Sequence, residues 1–68
     1  MYDYSKLKGR IVEVCGTHSK FADQMGITKA SLSNKLNEKN YFKQDEIRKA
    51  MDILKIENPA PYFFEKKL

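Results

Sequence analysis

Both prolines of this chain lie near its end, at Pro59 and Pro61, so no proline interrupts residues 1–58. Proline breaks a helix interior but is tolerated in the first turn, which leaves residues 1–58 free to be helical. No stretch alternates apolar and polar residues long enough for a strand, and no Asn-Gly or Asp-Gly pair indicates a hairpin. With 68 residues in total, we expect one all-α domain over residues 1–68.

The apolar residues recur at steps of three and four, the spacing of a buried helix face. Glycine ends helices cheaply and threonine caps helix N-termini, so Gly16-Thr17 and Gly26 with Thr28 divide the first part of the chain. Helices are thus predicted over a first segment ending near residue 15, then about 18–25, 29–36 and 43–54, with a short fifth helix begun by the prolines. Their predicted inner faces are Tyr4, Leu7, Ile11 and Val14; Phe21, Ala22 and Met25; Leu32 and Leu36; and Ile47, Ala50, Met51 and Leu54.

The charge of the chain is basic and unevenly distributed. Thirteen Lys and Arg residues against nine Asp and Glu residues give a net charge of +4. Residues 26–43 contain four lysines and one glutamate, so most of the excess positive charge lies around the third predicted helix. A basic surface of this kind favours an anionic partner such as nucleic acid.

Several classes of protein are disfavoured. The single cysteine allows no intramolecular disulfide, which small secreted domains usually need, so we expect a cytoplasmic protein. The apolar runs are far shorter than the ~20 residues that span a bilayer, and the N-terminus lacks the pattern of a signal peptide. Cys15 and His18 are two potential zinc ligands where a structural site takes four, so we expect a buried thiol instead. One histidine supplies no nucleophile, base and acid together, so we expect no enzyme, cofactor, metal or small-molecule ligand.

The most informative stretch covers about residues 17–37. Two short predicted helices are joined by a turn at Gly26, with the pattern Phe21-Ala22-x-x-Met25-Gly26-Ile27 followed by Leu32. Ala22 is small where the third helix must cross closely, and Gly26 allows the positive φ of a sharp turn. This pattern resembles the helix-turn-helix of the Cro and phage-repressor family, and the resemblance extends over nearly the whole chain.

The resemblance implies a compact five-helix bundle of the lambda-repressor-like type. It also implies a sequence-specific DNA-binding transcriptional regulator, a phage Cro-like repressor in the bacterial host cytoplasm that inserts helix 3 into the operator major groove. One position departs from the family, which usually has an apolar residue nine positions after the turn glycine, where this chain has Lys35. Either the third helix is slightly rotated, or the lysine stem covers the core edge with its charge outside.

The DNA-contacting residues are predicted from the resemblance and from the helical projection together. Candidates for base contact lie on the side of the third helix away from its leucines: Lys29, Ala30, Ser31, Ser33, Asn34 and Asn37. Candidates for phosphate contact lie at the start of the second helix or around the end of the third: Thr17, His18, Ser19, Lys35, Lys39, Asn40, Tyr41 and Lys43.

Three adjacent aromatic residues, Tyr62, Phe63 and Phe64, cannot all be buried on one helix face. Two of them can close the core, or the set can form a homodimer interface. An exposed patch here would also suit an alternative function, a small helical protein–protein interaction module such as an antirepressor or adaptor.

Overall fold

The computed structural model describes residues 1–67, within which five helices follow one another and no strand forms. In chain order they are α1 (Ser5–Cys15), α2 (His18–Met25), α3 (Lys29–Leu36), α4 (Gln44–Leu54) and α5 (Ala60–Phe63). The all-α, five-helix prediction is confirmed. The fourth helix begins one residue later than predicted, with Lys43 as its N-cap.

The breaks between α1, α2 and α3 use the glycine and threonine residues that the sequence indicated. Gly26 adopts a left-handed conformation with φ +75°, which an L side chain enters only with strain. Thr17 Oγ1 accepts a hydrogen bond from Lys20 N at 3.1 Å, and Thr28 Oγ1 accepts one from Ser31 N at 3.0 Å. Each threonine therefore satisfies a backbone N–H that the first turn of its helix leaves without a partner.

One core is shared by all five helices, and α1 packs against α2, α4 and α5. Its buried hydrophobic residues are Tyr4, Leu7, Ile11, Cys15, Phe21, Ala22, Met25, Leu32, Leu36, Ala50, Leu54, Ile56 and Phe63. The prediction for Val14 was wrong, because its side chain is 39% exposed and Cys15 takes the inner position. Val14 and Cys15 follow Ile11 by three and four residues, so either could continue the buried stripe of α1. The packing of α2 against α1 places Cys15 on the inside.

The two ends of the chain lie side by side. Tyr2 and Lys66 form a single antiparallel bridge, and Asp3 N donates to Glu65 O at 2.7 Å. This pairing places Tyr2 and Tyr4 beside the C-terminal aromatic residues. Within the described part of the chain, none of the helices is both long enough and apolar enough to cross a membrane.

Candidate functional site

The side of α3 opposite its leucines is open to solvent. Leu32 and Leu36 are buried, whereas most of the predicted base-contacting side chains are exposed: Lys29, Ala30, Ser33, Asn34 and Asn37. Ser31, the sixth candidate, is half-buried. The structure therefore brings the six together on and beside one exposed polar helix face, here called the α3 face. Asn37 lies just past the helix as its C-cap, and its Nδ2 donates to Ser33 Oγ at 3.3 Å.

Lys35 is not on this face, which corrects its assignment as a phosphate contact. Only 4% of the residue is exposed, and its Nζ donates to Tyr41 O at 3.3 Å. The same nitrogen lies 3.3 Å from Glu46 Oε1 on α4. The Lys35 ammonium is thus neutralised inside the protein. Its presence at a usually apolar position therefore requires neither a rotated third helix nor a charge held outside.

The remaining predicted phosphate-contacting residues flank α3 on two sides. Thr17 and Ser19 are exposed and His18 is half-buried at the start of α2, where the helix dipole favours an anion. Four exposed residues lie in the segment between α3 and α4: Lys39, Asn40, Tyr41 and Lys43. Within residues 1–67, Lys29, Lys39 and Lys43 form no ion pair. Their charges are therefore available to an anion outside the protein.

Aromatic rings from both ends of the chain pack with Phe42 in a mostly buried group that the residue pattern did not indicate. Tyr4 packs edge-to-face on Phe42 with 5.6 Å between ring centroids, and Phe42 packs on Phe63 at 5.2 Å. Tyr2 lies 6.2 Å from Tyr4. These rings pack around the paired chain ends, and we call them, with Phe64, the aromatic cluster. The sequence signal was the enrichment of tyrosine at residues 2 and 4.

The three C-terminal aromatic residues have different environments. Phe63 is only 2% exposed and belongs to the core, so its predicted part in a homodimer interface is corrected. Tyr62 is half-buried beneath Lys6, whose Nζ lies 5.2 Å from the ring centroid. Phe64 is 51% exposed and touches the cluster only at its edge, through Tyr2. Of the three, Phe64 offers the largest apolar surface to a partner.

Two ionisable groups near the chain ends have shifted pKa values. Burial raises the pKa of Tyr4, and the charges of Glu38 and Tyr2 act in the same direction. The pKa of Asp3 is lowered, chiefly by hydrogen bonds from Ser5 and more weakly by the charges of Lys67 and Lys8. Both shifts belong to the packing of the chain ends, and neither group lies on the α3 face.

Five short helices around one core, with a polar and lysine-flanked α3 exposed, define a small all-α protein with a surface suited to an anionic partner. The chain belongs to the family described as "Protein of unknown function (DUF739)", whose model matches residues 1–66. Its structure is similar to the solution structure of the modulator of repression (MOR) of the temperate bacteriophage TP901-1 from Lactococcus lactis. The TM-score is 0.78 and the sequences are 45% identical, with 93% of this chain and 86% of that chain covered. No match was found among the curated proteins.

Proposed function

We propose that this chain is a phage regulatory protein that controls repression, and that it acts by binding double-stranded DNA through α3. The observation that carries the proposal is the α3 face, an exposed polar helix side flanked by lysines that form no ion pair within residues 1–67. An α-helix fits the major groove of B-DNA, where the residues near its N-terminus reach base edges. The likeness to a phage modulator of repression supports the regulatory role.

Base recognition is assigned to three exposed residues near the start and middle of α3. Asn34 can pair bidentately with adenine N6 and N7, and Lys29 can donate to guanine O6 and N7. Ala30 can contact a thymine methyl group. Because Thr28 caps the helix with its side chain, this end of α3 keeps a defined backbone as it enters the groove.

Affinity is assigned to the residues around α3. Thr17, His18 and Ser19 place the positive end of the α2 dipole beside the groove. On the other side, Lys39 and Lys43 supply charge that attracts the opposite backbone. This protein has no chemistry to perform in such a role, since occupying promoter DNA is enough to change transcription.

A second candidate function is binding to a repressor protein, and it rests on a different surface. Phe64 is half exposed at the edge of the aromatic cluster. Exposed aromatic residues are common anchors of protein–protein interfaces. The name of the similar phage protein, a modulator of repression, fits action on a repressor as well as on DNA.

Salt-dependent DNA binding separates the two functions. Fluorescence anisotropy with an unrelated 20–30 base-pair duplex would be measured from about 50 to 200 mM salt. DNA binding predicts affinity that falls steeply with salt, by a logarithmic slope of about 0.9 for each phosphate contacted. No binding at the lowest salt would overturn the DNA proposal.

The second candidate is tested with the purified repressor of the same phage on its operator. If the chain acts on the repressor, adding it changes operator occupancy, and Phe64→Ala weakens this effect while Asn34→Ala does not. If Asn34→Ala weakens the effect and Phe64→Ala does not, the edge of the aromatic cluster is excluded as the site of action.

A further inference from the structure

A cavity at the junction of α1, α2 and α3 is lined by basic side chains from all three helices. Its volume is about 220 Å³, and Lys8, His18 and Lys29 reach it from α1, α2 and α3 respectively. Ser33 and Asn37 add polar groups, Leu32 forms part of an apolar floor, and none of the described residues brings a carboxylate to the cavity. Lys8 was not among the residues singled out from the sequence.

The two lysines of this cavity, Lys8 and Lys29, form no close ion pair within the part of the chain that the structure describes. Lys8 also lines a neighbouring cavity that Asp3 and Glu38 border, and its charge is a minor cause of the lowered pKa of Asp3. An anion in the cavity that both lysines line would be attracted by both positive charges.

Two further features favour an oxygen anion. Ser33 Oγ accepts its hydrogen bond from Asn37 Nδ2, which leaves the hydroxyl hydrogen to be donated to a ligand. The eight-residue helix α2 begins at His18, so the positive end of its dipole lies at the edge of the cavity.

We propose that this cavity binds a phosphate group, and that in the complex with DNA the group is a backbone phosphate beside the major groove. The assignment of DNA as the source rests on the proposed function. Lys29, Ser33 and Asn37 lie along one edge of the α3 face, adjacent to Ala30 and Asn34. A helix that places Ala30 and Asn34 on base edges thus brings the cavity against the flanking backbone. Lys29 then contacts this phosphate in place of a guanine, and Lys8 becomes a phosphate contact from α1.

The first test uses inorganic phosphate and needs no DNA. In a titration followed by ¹H–¹⁵N NMR, the amide signals of Lys8, His18, Lys29 and Ser33 shift together and saturate. Lys8→Gln removes the charge while keeping most of the stem, and it abolishes the saturable shifts. The matched control Lys6→Gln lies on the other side of α1, near Tyr62, and leaves the shifts unchanged. Shifts spread evenly over the lysines, or unaffected by Lys8→Gln, would overturn the phosphate site.

The second test uses duplex DNA and identifies the source of the phosphate. Loss of one phosphate contact lowers the logarithmic salt slope by about 1, so Lys8→Gln reduces it by that amount and Lys6→Gln does not. Equal slopes for the two variants would overturn the backbone assignment. If the unmodified protein binds phosphate at Lys8 but no duplex, the proposed function fails and the site stands as one for the free anion.

Discussion

Lys35 on α3 and Glu46 on α4 form an ion pair with 3.3 Å between Nζ and Oε1, and the Lys35 side chain is almost fully buried. Glu46 Oε1 also accepts a hydrogen bond from Lys43 N at 2.8 Å, and so satisfies a backbone group at the start of α4. The same carboxylate therefore fixes the beginning of α4 and holds α3 against it.

Breaking the pair is expected to destabilise the fold. Glu46→Gln leaves the Lys35 ammonium buried without a counter-charge, and we expect a loss of about 3 kcal/mol in the free energy of unfolding. This value is at the low end for a buried pair because the Glu46 side chain retains some contact with water. Urea unfolding followed by circular dichroism measures the change.

A double variant serves as the control for this prediction. Lys35→Met combined with Glu46→Gln removes both charges and keeps the apolar stem, so its stability should lie well above that of Glu46→Gln alone. If the double variant is the less stable of the two, the pair does not act through charge neutralisation.

Replacing either of two glycines, Gly26 or Gly9, with alanine should change the stability of the protein in opposite directions. Gly26 has φ +75° and only the distant Lys49 Nζ, at 3.8 Å, near an added Cβ, so Gly26→Ala is strained by its backbone alone. We expect a loss of about 1–2 kcal/mol. At Gly9, within α1, an added Cβ would have no described neighbour within 4 Å, and Gly9→Ala should stabilise the protein by about 0.5–1 kcal/mol. Thermal unfolding of the two variants tests both signs, and a loss of stability in both would contradict the argument.

The stability of the protein should fall at high pH because of Tyr4. Burial is the main cause that raises the Tyr4 pKa above 10.0, so the unfolded chain loses this proton at a lower pH than the folded chain does. The stability that protonated Tyr4 gives to the folded state is complete below about pH 10. It is lost as the pH rises toward the pKa of Tyr4 in the folded state. Tyr4→Phe should flatten this part of the stability profile, whereas Tyr41→Phe, at an exposed position, should not. Melting temperatures measured from pH 8 to 11 make the comparison.

The helices were predictable because their ends are encoded locally. Gly26 and Thr28 define the turn before α3 through backbone φ and side-chain capping, and both effects act within three residues. The inner faces of α2 and α3 followed from helical spacing for the same reason. At Val14 this reasoning failed, because steps of three and four both fall on a buried stripe and only tertiary packing decides between them.

The candidate site was predictable on α3 but not across helices. The exposure of Asn34 and Lys29 follows from their angle to Leu32 and Leu36. The burial of Lys35 depends on Glu46, eleven residues later on another helix, and no local pattern indicates that partner. Lys8 lies one turn after Tyr4 at the edge of the buried stripe of α1, and a long basic residue at such an edge is the signal that could have indicated it.

Asn34 and Lys39 should affect DNA binding in different ways, because one is assigned to base edges and the other to the backbone. Asn34→Ala should lower affinity for the preferred duplex by about 1–3 kcal/mol and relax the preference at one base pair. Lys39→Ala should weaken preferred and unrelated duplexes alike and lower the salt slope by about 1. The preferred duplex is obtained by selection from random sequences, and anisotropy then gives the affinities, with Lys6→Ala as the control. If Asn34→Ala weakens all duplexes equally, then Asn34 contacts the backbone, and the α3 face is turned away from the base edges.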